Sequence, residues 1–266
     1  MGELVFVGLG LHDHLGISLR GLEETKTADN VFIELYTSLL PDFSMELFAK
    51  LSGKKPKMVV RKDLEERNGK IILDAAGAGK AVLLVPGDPM IATTHVALRI
   101  EAEKLGIRTR IIHGASILSA AIGMSGLHNY KFGKSVTIPF PVESPCETPY
   151  AVIAQNKELG LHTLCLLDIE VSGNRYLSIG DALRELSKTE AKRKNKVVTM
   201  DTLAVGVARA GSSSPRVKAG SVMDILDYDF GQPPHSLIFP GRLHFMEAEA
   251  LIVFAGGPET LRRLAE

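Results

Sequence analysis

The sequence contains only two cysteines, Cys146 in a proline-rich loop and Cys165 inside an apolar segment. Two cysteines cannot form a disulfide framework, so the composition favours a protein of a reducing compartment. The first residues lack the basic lead and the small-residue cleavage site of a signal peptide, and no apolar run approaches the roughly 18 residues of a membrane-spanning helix. We therefore expect a soluble protein of the cytoplasm with no membrane partner.

The formal net charge of the chain is zero, because 31 lysines and arginines balance 31 aspartates and glutamates. Without an overall field, the chain is not drawn to nucleic acid or to an anionic surface, and we expect no direct nucleic-acid partner. The basic run from Lys192 to Lys196 is interpreted as a solvated helix end. A docking patch for an acidic or ribonucleoprotein partner is the alternative interpretation of that run.

Familiar metal-binding and nucleophile patterns do not occur. None of the eight histidines lies at a zinc-ligand spacing from a cysteine or glutamate, and His12-Asp13-His14 is interpreted as a solvated loop. Gly123-Met124-Ser125-Gly126 lacks the spacing of a nucleophile elbow. His95 stands at a predicted helix start, where a core or capping role is the default and a catalytic role the alternative. The sequence thus predicts no metal site and leaves any catalytic residue unknown.

Two glycine motifs resemble phosphate-binding loops, but each fails at a defining position. Gly8-Leu9-Gly10-Leu11 follows an apolar segment, yet Asp13 stands where a dinucleotide-binding fingerprint needs its third glycine. The run from Ala76 to Lys80 lacks the serine or threonine that follows the lysine of a P-loop. We interpret its glycines as the end of a helix.

The most informative stretch runs from residue 81 to residue 95. Five apolar residues lead into Pro86-Gly87-Asp88-Pro89 and then into two threonines, which predicts a buried strand, a rigid turn and a capped helix. Ligands in open α/β sheets bind outside the carboxyl ends of the strands, where Gly87 allows a close approach and Asp88 supplies an acidic acceptor. The stretch predicts a small-molecule site, with an ordinary turn as the alternative.

A second turn of similar design follows at His113-Gly114-Ala115-Ser116-Ile117. Gly114 suits the turn and Ser116 suits a helix cap. Because helix N-termini offer free amides to polar ligand groups, Ser116 and Ile117 are expected to face the same crevice as Asp88.

Strands and helices alternate five times in the first half of the chain, which predicts a doubly wound parallel sheet. The predicted strands are 4–8, 30–35, 57–60, 81–85 and 108–112, with one helix over 63–76. Later segments are shorter and joined by tight turns, which favours a mixed sheet. Its predicted strands are 136–140, 163–169, 203–210, 216–219 and 235–239. Since 266 residues exceed the usual size of one core, we expect two α/β domains, residues 1–113 and 114–266.

Seven motifs spread along the chain are similar to those of one family. They are 6–11, 34–38, 86–89, 92–95, 126–135, 209–211 and 233–235. Together they resemble the diphthine synthases of the tetrapyrrole methylase superfamily, whereas Gly-Asp-Pro by itself indicates only the superfamily. The resemblance covers nearly the whole chain. It implies a tetrapyrrole methylase-like fold of two α/β domains, S-adenosylmethionine bound in the cleft between them, and a homodimer.

The resemblance also implies a substrate and a set of cofactor contacts. The substrate is the 3-amino-3-carboxypropyl group on one histidine of translation elongation factor 2, whose amino nitrogen receives up to three methyl groups. The implied cofactor contacts are Leu11, Asp88, Ile91, Ser116, Ile117, Leu167, Ala210 and His235. All of them lie at predicted strand ends or turns. No acid or base stands out among them, so we expect orientation to dominate the chemistry.

Two other functions stay open at this point. The superfamily motif alone also allows a methyltransferase that acts on a small tetrapyrrole. A non-catalytic nucleotide-binding module is the other alternative, which only a cleft too narrow for an acceptor would favour.

Overall fold

The computed structural model describes residues 2–141 and 147–265, so Cys146 lies outside the described residues. The chain divides into two compact units. The first comprises Met1–Ile117 and Val171–Gly173, and the second comprises Leu118–Glu170 and Asn174–Glu266. Compactness does not show that either part folds alone, so the domain limits 1–113 and 114–266 stay a prediction.

The first unit contains a five-stranded, all-parallel sheet. Its strands are β1 (Glu3–Gly8), β2 (Asn30–Glu34), β3 (Lys57–Val59), β4 (Lys80–Val85) and β5 (Arg108–Ile112). Their order is β3-β2-β4-β1-β5, with every neighbouring pair parallel. Alternate residues of β1, β2 and β4 enter two separate hydrophobic clusters, one on each face of the sheet. Burial on both faces explains why these strands are continuous apolar runs, and the predicted parallel sheet is confirmed.

Helices connect the strands of the first unit. They are α1 (Leu19–Lys26), α2 (Met45–Ser52), α3 (Lys70–Ala78) and α4 (His95–Lys104), and α5 (Ile117–Ser125) follows β5. The prediction of one helix over 63–76 is wrong. A short π-helical segment, Lys62–Glu66, precedes α3 and is separated from it by Asn68 and Gly69, which have φ values of 51° and 64°. A Cβ on Gly69 would lie 2.4 Å from Leu98 Cδ1, so the left-handed glycine also allows close packing.

The second unit contains a mixed sheet, as predicted. Its strands are β6 (Val136–Ile138), β7 (Thr163–Leu167), β10 (Leu203–Ala208), β11 (Arg216–Ser221) and β12 (His235–Phe239), in the order β11-β10-β12-β7-β6. Only the β6–β7 pair of this sheet is parallel. The predicted strand 163–169 is too long, because β7 ends at Leu167 and a separate hairpin joins β8 (Ile169–Glu170) to β9 (Arg175–Tyr176).

Helices α6 (Glu147–Glu158), α7 (Ile179–Arg193), α8 (Val222–Leu226) and α9 (Phe245–Ala255) complete the second unit. Leu183 and Leu186 of α7 share a core cluster with Cys165 and Leu237 of the sheet. The basic run from Lys192 to Lys196 is exposed at the end of α7, which confirms its interpretation as a solvated helix end. Across residues 2–141 and 147–265, none of the helices combines the length and apolar character needed to cross a bilayer.

Candidate functional site

Glycine backbones pack against one another where β1, β4 and β5 end. Gly10 N donates to the carbonyl of Gly87 at 3.2 Å, and Gly87 N donates back to the carbonyl of Gly10 at 2.7 Å. A Cβ on Gly8 would lie 2.5 Å from the Gly87 carbonyl oxygen and 2.6 Å from Gly114 N. Such distances are too short for any real Cβ, so Gly8 is required by contact between the loops.

Gly87 occupies a different environment from the glycines around it. Its φ of 68° lies in the left-handed region, and the nearest atom to an added Cβ would be the Ala115 carbonyl oxygen at 4.0 Å. The left-handed conformation favours glycine, and the space above it is open. This open space lies at the carboxyl edge of the parallel sheet, where ligands of α/β proteins bind.

Asp88 is buried in the turn after β4 and makes two hydrogen bonds. Its Oδ1 accepts from Met90 N at 3.0 Å, which closes the turn. Its Oδ2 lies 2.7 Å from Nδ1 of His113, the residue directly after β5. Since a carboxylate only accepts, the His113 Nδ1 carries the proton and donates it. The other ring nitrogen, Nε2, is then free to accept, and the His113 side chain is 74% exposed.

From the sequence, His113 was predicted only as the first residue of the turn that precedes α5. The sequence contained a signal for the proximity of His113 to Asp88, since each residue follows a predicted strand. In the structure, β4 and β5 are both parallel neighbours of β1, so their carboxyl ends lie at the same edge of the sheet. An acidic residue after one strand and a histidine after the other are therefore placed close together. The order of the strands, which sets this proximity, was not predicted.

The other predicted residues of the first unit lie on the same loops. Leu11 follows Gly10, and Ile91 donates its backbone N–H to the carbonyl of Asp88 at 3.3 Å. Ile91 is 39% exposed, so its side chain is open to contact from outside the turn. Ser116 and Ile117 lie at the start of α5. They directly follow Ala115, whose carbonyl oxygen is the nearest atom to a Cβ added at Gly87. The structure thus places these positions at one edge, while their contacts with a cofactor stay a prediction.

Three predicted residues belong to the second unit and lie at one end of its sheet. His235 begins β12 and pairs with Ala208 at the end of β10, two residues before Ala210. Leu166 pairs with Ser236, so the end of β7 at Leu167 lies beside the start of β12. Leu167 and Ala210 are both buried.

His235 carries an unsatisfied ring nitrogen. Its Nε2 lies 3.1 Å from the carbonyl oxygen of Gly231, so Nε2 bears the proton and donates. Its Nδ1 is buried without a hydrogen-bond partner among the described residues. Burial lowers the pKa of His235, which keeps the ring neutral and Nδ1 free to accept. A buried acceptor without a partner suits the N–H or O–H group of a ligand.

Two of the family-like motifs meet in a buried cluster of the first unit. Glu34, at the end of β2, accepts from Tyr36 N at 3.0 Å and from Thr37 N at 3.1 Å, and Thr37 Oγ1 also donates to it. Burial raises the pKa of Glu34. His95 Nε2 lies 3.8 Å from Glu34 Oε1, a longer separation than a hydrogen bond, and has no partner among the described residues.

His95 has the core environment expected by default. It is 2% exposed, and burial lowers its pKa to about 4. A capped helix was predicted after the two threonines, but the side chain of Thr94 at the N-cap position of α4 makes no capping hydrogen bond. Thr93 Oγ1 instead lies 2.6 Å from His95 Nδ1, because the first residue of the helix turns its ring back toward the preceding loop.

The long motif 126–135 is held by one buried carboxylate of the second unit. Glu247 of α9 accepts from His128 N at 2.7 Å, Lys131 Nζ at 2.5 Å, His162 Nε2 at 2.9 Å and His244 N at 2.8 Å. Burial opposes ionisation, but these hydrogen bonds prevail and lower the pKa of Glu247 to about 2. We call this group the Glu247 cluster, and it gives Lys131 of the motif a structural role.

The loop at His12 is less solvated than predicted. His12 is buried, and its Nε2 lies 2.9 Å from Asp42 Oδ2. A search of residues 2–141 and 147–265 finds no group of three or more His, Cys, Asp or Glu side chains that could hold a metal ion.

Comparison with known proteins gives one consistent result. The family described as Tetrapyrrole (Corrin/Porphyrin) Methylases matches residues 3–225. A protein of Methanosarcina mazei named diphthine synthase is 50% identical over 264 residues, covering 97% of this chain and 98% of that protein. A diphthine synthase of Methanocaldococcus jannaschii is 45% identical over 251 residues, covering 93% of this chain and 97% of the relative. A crystal structure described as diphthine synthase superposes with a TM-score of 0.89 at 43% identity, covering 98% of this chain and 99% of the other.

Proposed function

Because the chain belongs to the tetrapyrrole methylase family, and within it to the diphthine synthases, we propose that it methylates translation elongation factor 2 in diphthamide synthesis. The acceptor is the amino nitrogen of a 3-amino-3-carboxypropyl group carried by one histidine of that factor. Up to three methyl groups are transferred to this nitrogen. The observation that carries the proposal is 50% identity to a diphthine synthase over nearly the full length of both chains.

The first unit offers features that fit S-adenosylmethionine. The open space beside Gly87 would admit a ligand against the backbone. The buried Asp88 carboxylate retains lone pairs for a hydroxyl or ammonium group, and the N-terminus of α5 offers amide donors for a carboxylate. The partly exposed Ile91 supplies an apolar contact. We therefore assign Leu11, Asp88, Ile91, Ser116 and Ile117 to cofactor binding.

The second unit, considered by itself, offers one clear polar group that fits S-adenosylmethionine. The unpartnered Nδ1 of His235 is an acceptor that an amino or hydroxyl group would satisfy. Leu167 and Ala210 lie beside it at the end of the sheet and would contribute apolar surface. The assignment of these residues to the cofactor stays a prediction, as does the homodimer.

S-adenosylmethionine supplies an electrophilic methyl group on a sulfonium centre. Positive charge moves from sulfur to nitrogen during the transfer, so little net charge develops for the protein to stabilise. The residues of the site therefore act mainly by holding the methyl donor and the acceptor amine in line. Orientation of this kind can contribute about 7–11 kcal/mol to lowering a barrier.

The sequence left open a non-catalytic nucleotide-binding module and a methyltransferase that acts on a tetrapyrrole. The non-catalytic module is wrong, because the family is one of S-adenosylmethionine-dependent methyltransferases. No feature of the described residues favours a tetrapyrrole substrate over a protein side chain. The relatives named above are diphthine synthases rather than tetrapyrrole enzymes.

Labelled S-adenosylmethionine tests the proposed substrate directly. The protein is incubated with purified elongation factor 2 that either carries or lacks the 3-amino-3-carboxypropyl group. We expect label only on the modified factor, and intact mass then counts the methyl groups. Label on neither form would refute the substrate, and label on both forms would refute the proposed acceptor.

A further inference from the structure

The pair of Asp88 and His113 has the geometry of a proton-accepting dyad. A buried carboxylate oxygen lies 2.7 Å from Nδ1 of an exposed imidazole, and the other carboxylate oxygen is tied to the turn. The carboxylate fixes the ring orientation and places the lone pair on Nε2.

Repeated methylation of one nitrogen creates a need for such a group. Each transfer converts a neutral amine into an ammonium ion, which has no lone pair for the next methyl group. A proton must therefore leave the nitrogen before the second transfer and again before the third. A base held next to the acceptor would remove that proton faster than bulk water.

We infer that His113 is the general base of the methyl transfer and that Asp88 is its positioning residue. The inference rests on the proposed function. His113 lies directly after β5, three residues before Ser116, and contacts Asp88, so it is bordered on both sides by positions assigned to the cofactor.

The proton released after each methyl transfer passes first to His113 and then to water. The methylated ammonium gives its proton to Nε2 of His113, and the amine recovers its lone pair. The resulting imidazolium keeps its Nδ1 proton in the hydrogen bond to the Asp88 carboxylate, which stabilises the positive charge. Because the ring is 74% exposed, Nε2 then releases the proton to water.

Two other charged or titratable groups of the first unit are unsuited to this role. Arg110, on the strand that precedes His113, bonds to Glu3 and Glu24. His95 is buried beside Glu34, so its Nε2 is not accessible to an acceptor on a protein. His113 is the histidine of the first unit that combines exposure with a buried carboxylate partner.

Nuclear magnetic resonance of the imidazole nitrogens tests the dyad without any substrate. We expect the free protein to show His113 protonated at Nδ1 when neutral, and Asp88→Asn to shift the ring toward the other tautomer. A His113 ring protonated at Nε2 in the unsubstituted protein would overturn the inference, whatever the substrate proves to be.

Kinetics of His113→Gln test the role in transfer, with His128→Gln of the second unit as the matched control. We expect His113→Gln to bind S-adenosylmethionine with unchanged affinity in calorimetry and to slow the second and third transfers by about 10²-fold. Its deficit should shrink at high pH and on addition of free imidazole, while His128→Gln behaves as the unsubstituted protein.

The outcomes separate the two proposals. If the unsubstituted protein methylates the modified factor but His113→Gln transfers all methyl groups at the same rate, His113 is not the base. If the affinity for S-adenosylmethionine falls in parallel with the rate, His113 is a binding residue and the inference is wrong. If the unsubstituted protein leaves the factor unlabelled, the proposed function fails, and the tautomer measurement still decides whether the dyad exists.

Discussion

Replacing Glu247 with glutamine tests how strongly the Glu247 cluster stabilises the second unit. Burial raises the pKa of this carboxyl, but hydrogen bonds from His244, Lys131, His128 and His162 lower it from 4.5 to about 2. The difference between 4.5 and about 2 corresponds to roughly 3 kcal/mol of free energy of unfolding. Because the folded pKa lies below the unfolded one, this stabilisation is fully present above about pH 4.5 and is lost as the pH falls toward about 2.

Glutamine at this position would leave the Lys131 ammonium group without its anionic partner. We expect Glu247→Gln to lower the free energy of unfolding at neutral pH by roughly 3 kcal/mol, as is typical when one partner of a buried pair is removed. The measurement is urea denaturation followed by circular dichroism, at neutral pH and again in acid near the folded pKa of about 2. The gap between the two proteins should close in acid.

Glu249→Gln is the control, because Glu249 lies on the same helix and pairs with Arg262 on the surface. A surface pair contributes little to stability, so this variant should unfold like the unsubstituted protein. The reasoning is refuted if both variants lose the same stability at neutral pH. It is also refuted if the loss caused by Glu247→Gln persists unchanged in acid.

Four further predictions concern the site and the assembly. Gly8→Ala would place a Cβ 2.5 Å from the Gly87 carbonyl oxygen, so we expect a stability loss of about 1–3 kcal/mol in thermal denaturation, and an unchanged Tm would contradict the packing. Gly87→Ala introduces about 1–2 kcal/mol of left-handed strain and fills the open space, so calorimetry should show a larger loss of S-adenosylmethionine affinity than of stability. His235→Phe removes the unpartnered acceptor and should weaken S-adenosylmethionine binding by about 1 kcal/mol; equal affinity would remove His235 from the site. Light scattering should give twice the chain mass of 28.8 kDa if the implied homodimer forms, and a monomer mass would exclude it.

The loops that follow β1, β4 and β5 show how far local sequence information reaches. The buried strand over 81–85, the turn at Pro86 to Pro89 and the following helix were all predicted, because each depends on residues next to one another in the chain. The same local information located the start of α5 at Ile117. It could not show that Gly8 is needed for contact with Gly87 and Gly114, since that contact joins three separate loops.

The errors of prediction have specific physical causes. Residues 65–70 contain no apolar side chain and include Asn68-Gly69, a common turn pair, which the prediction of one helix over 63–76 passed over. Both residues have a left-handed backbone, which separates the two helical segments. The strand predicted over 163–169 contains Asp168 among its apolar residues, and Ile169 beyond it pairs with Tyr176 in a separate hairpin.

The sequence by itself determined the alternation of strands and helices, the parallel character of the first sheet, and the motifs that relate the chain to its family. These features follow from residue spacing, which the chain carries along its own length. Only the tertiary structure decided that His113 meets Asp88 across 25 residues, and that Glu247 holds Lys131 across 116. Strand order and helix packing set such distances, and they arise from the burial of many side chains at once, so no single segment encodes them.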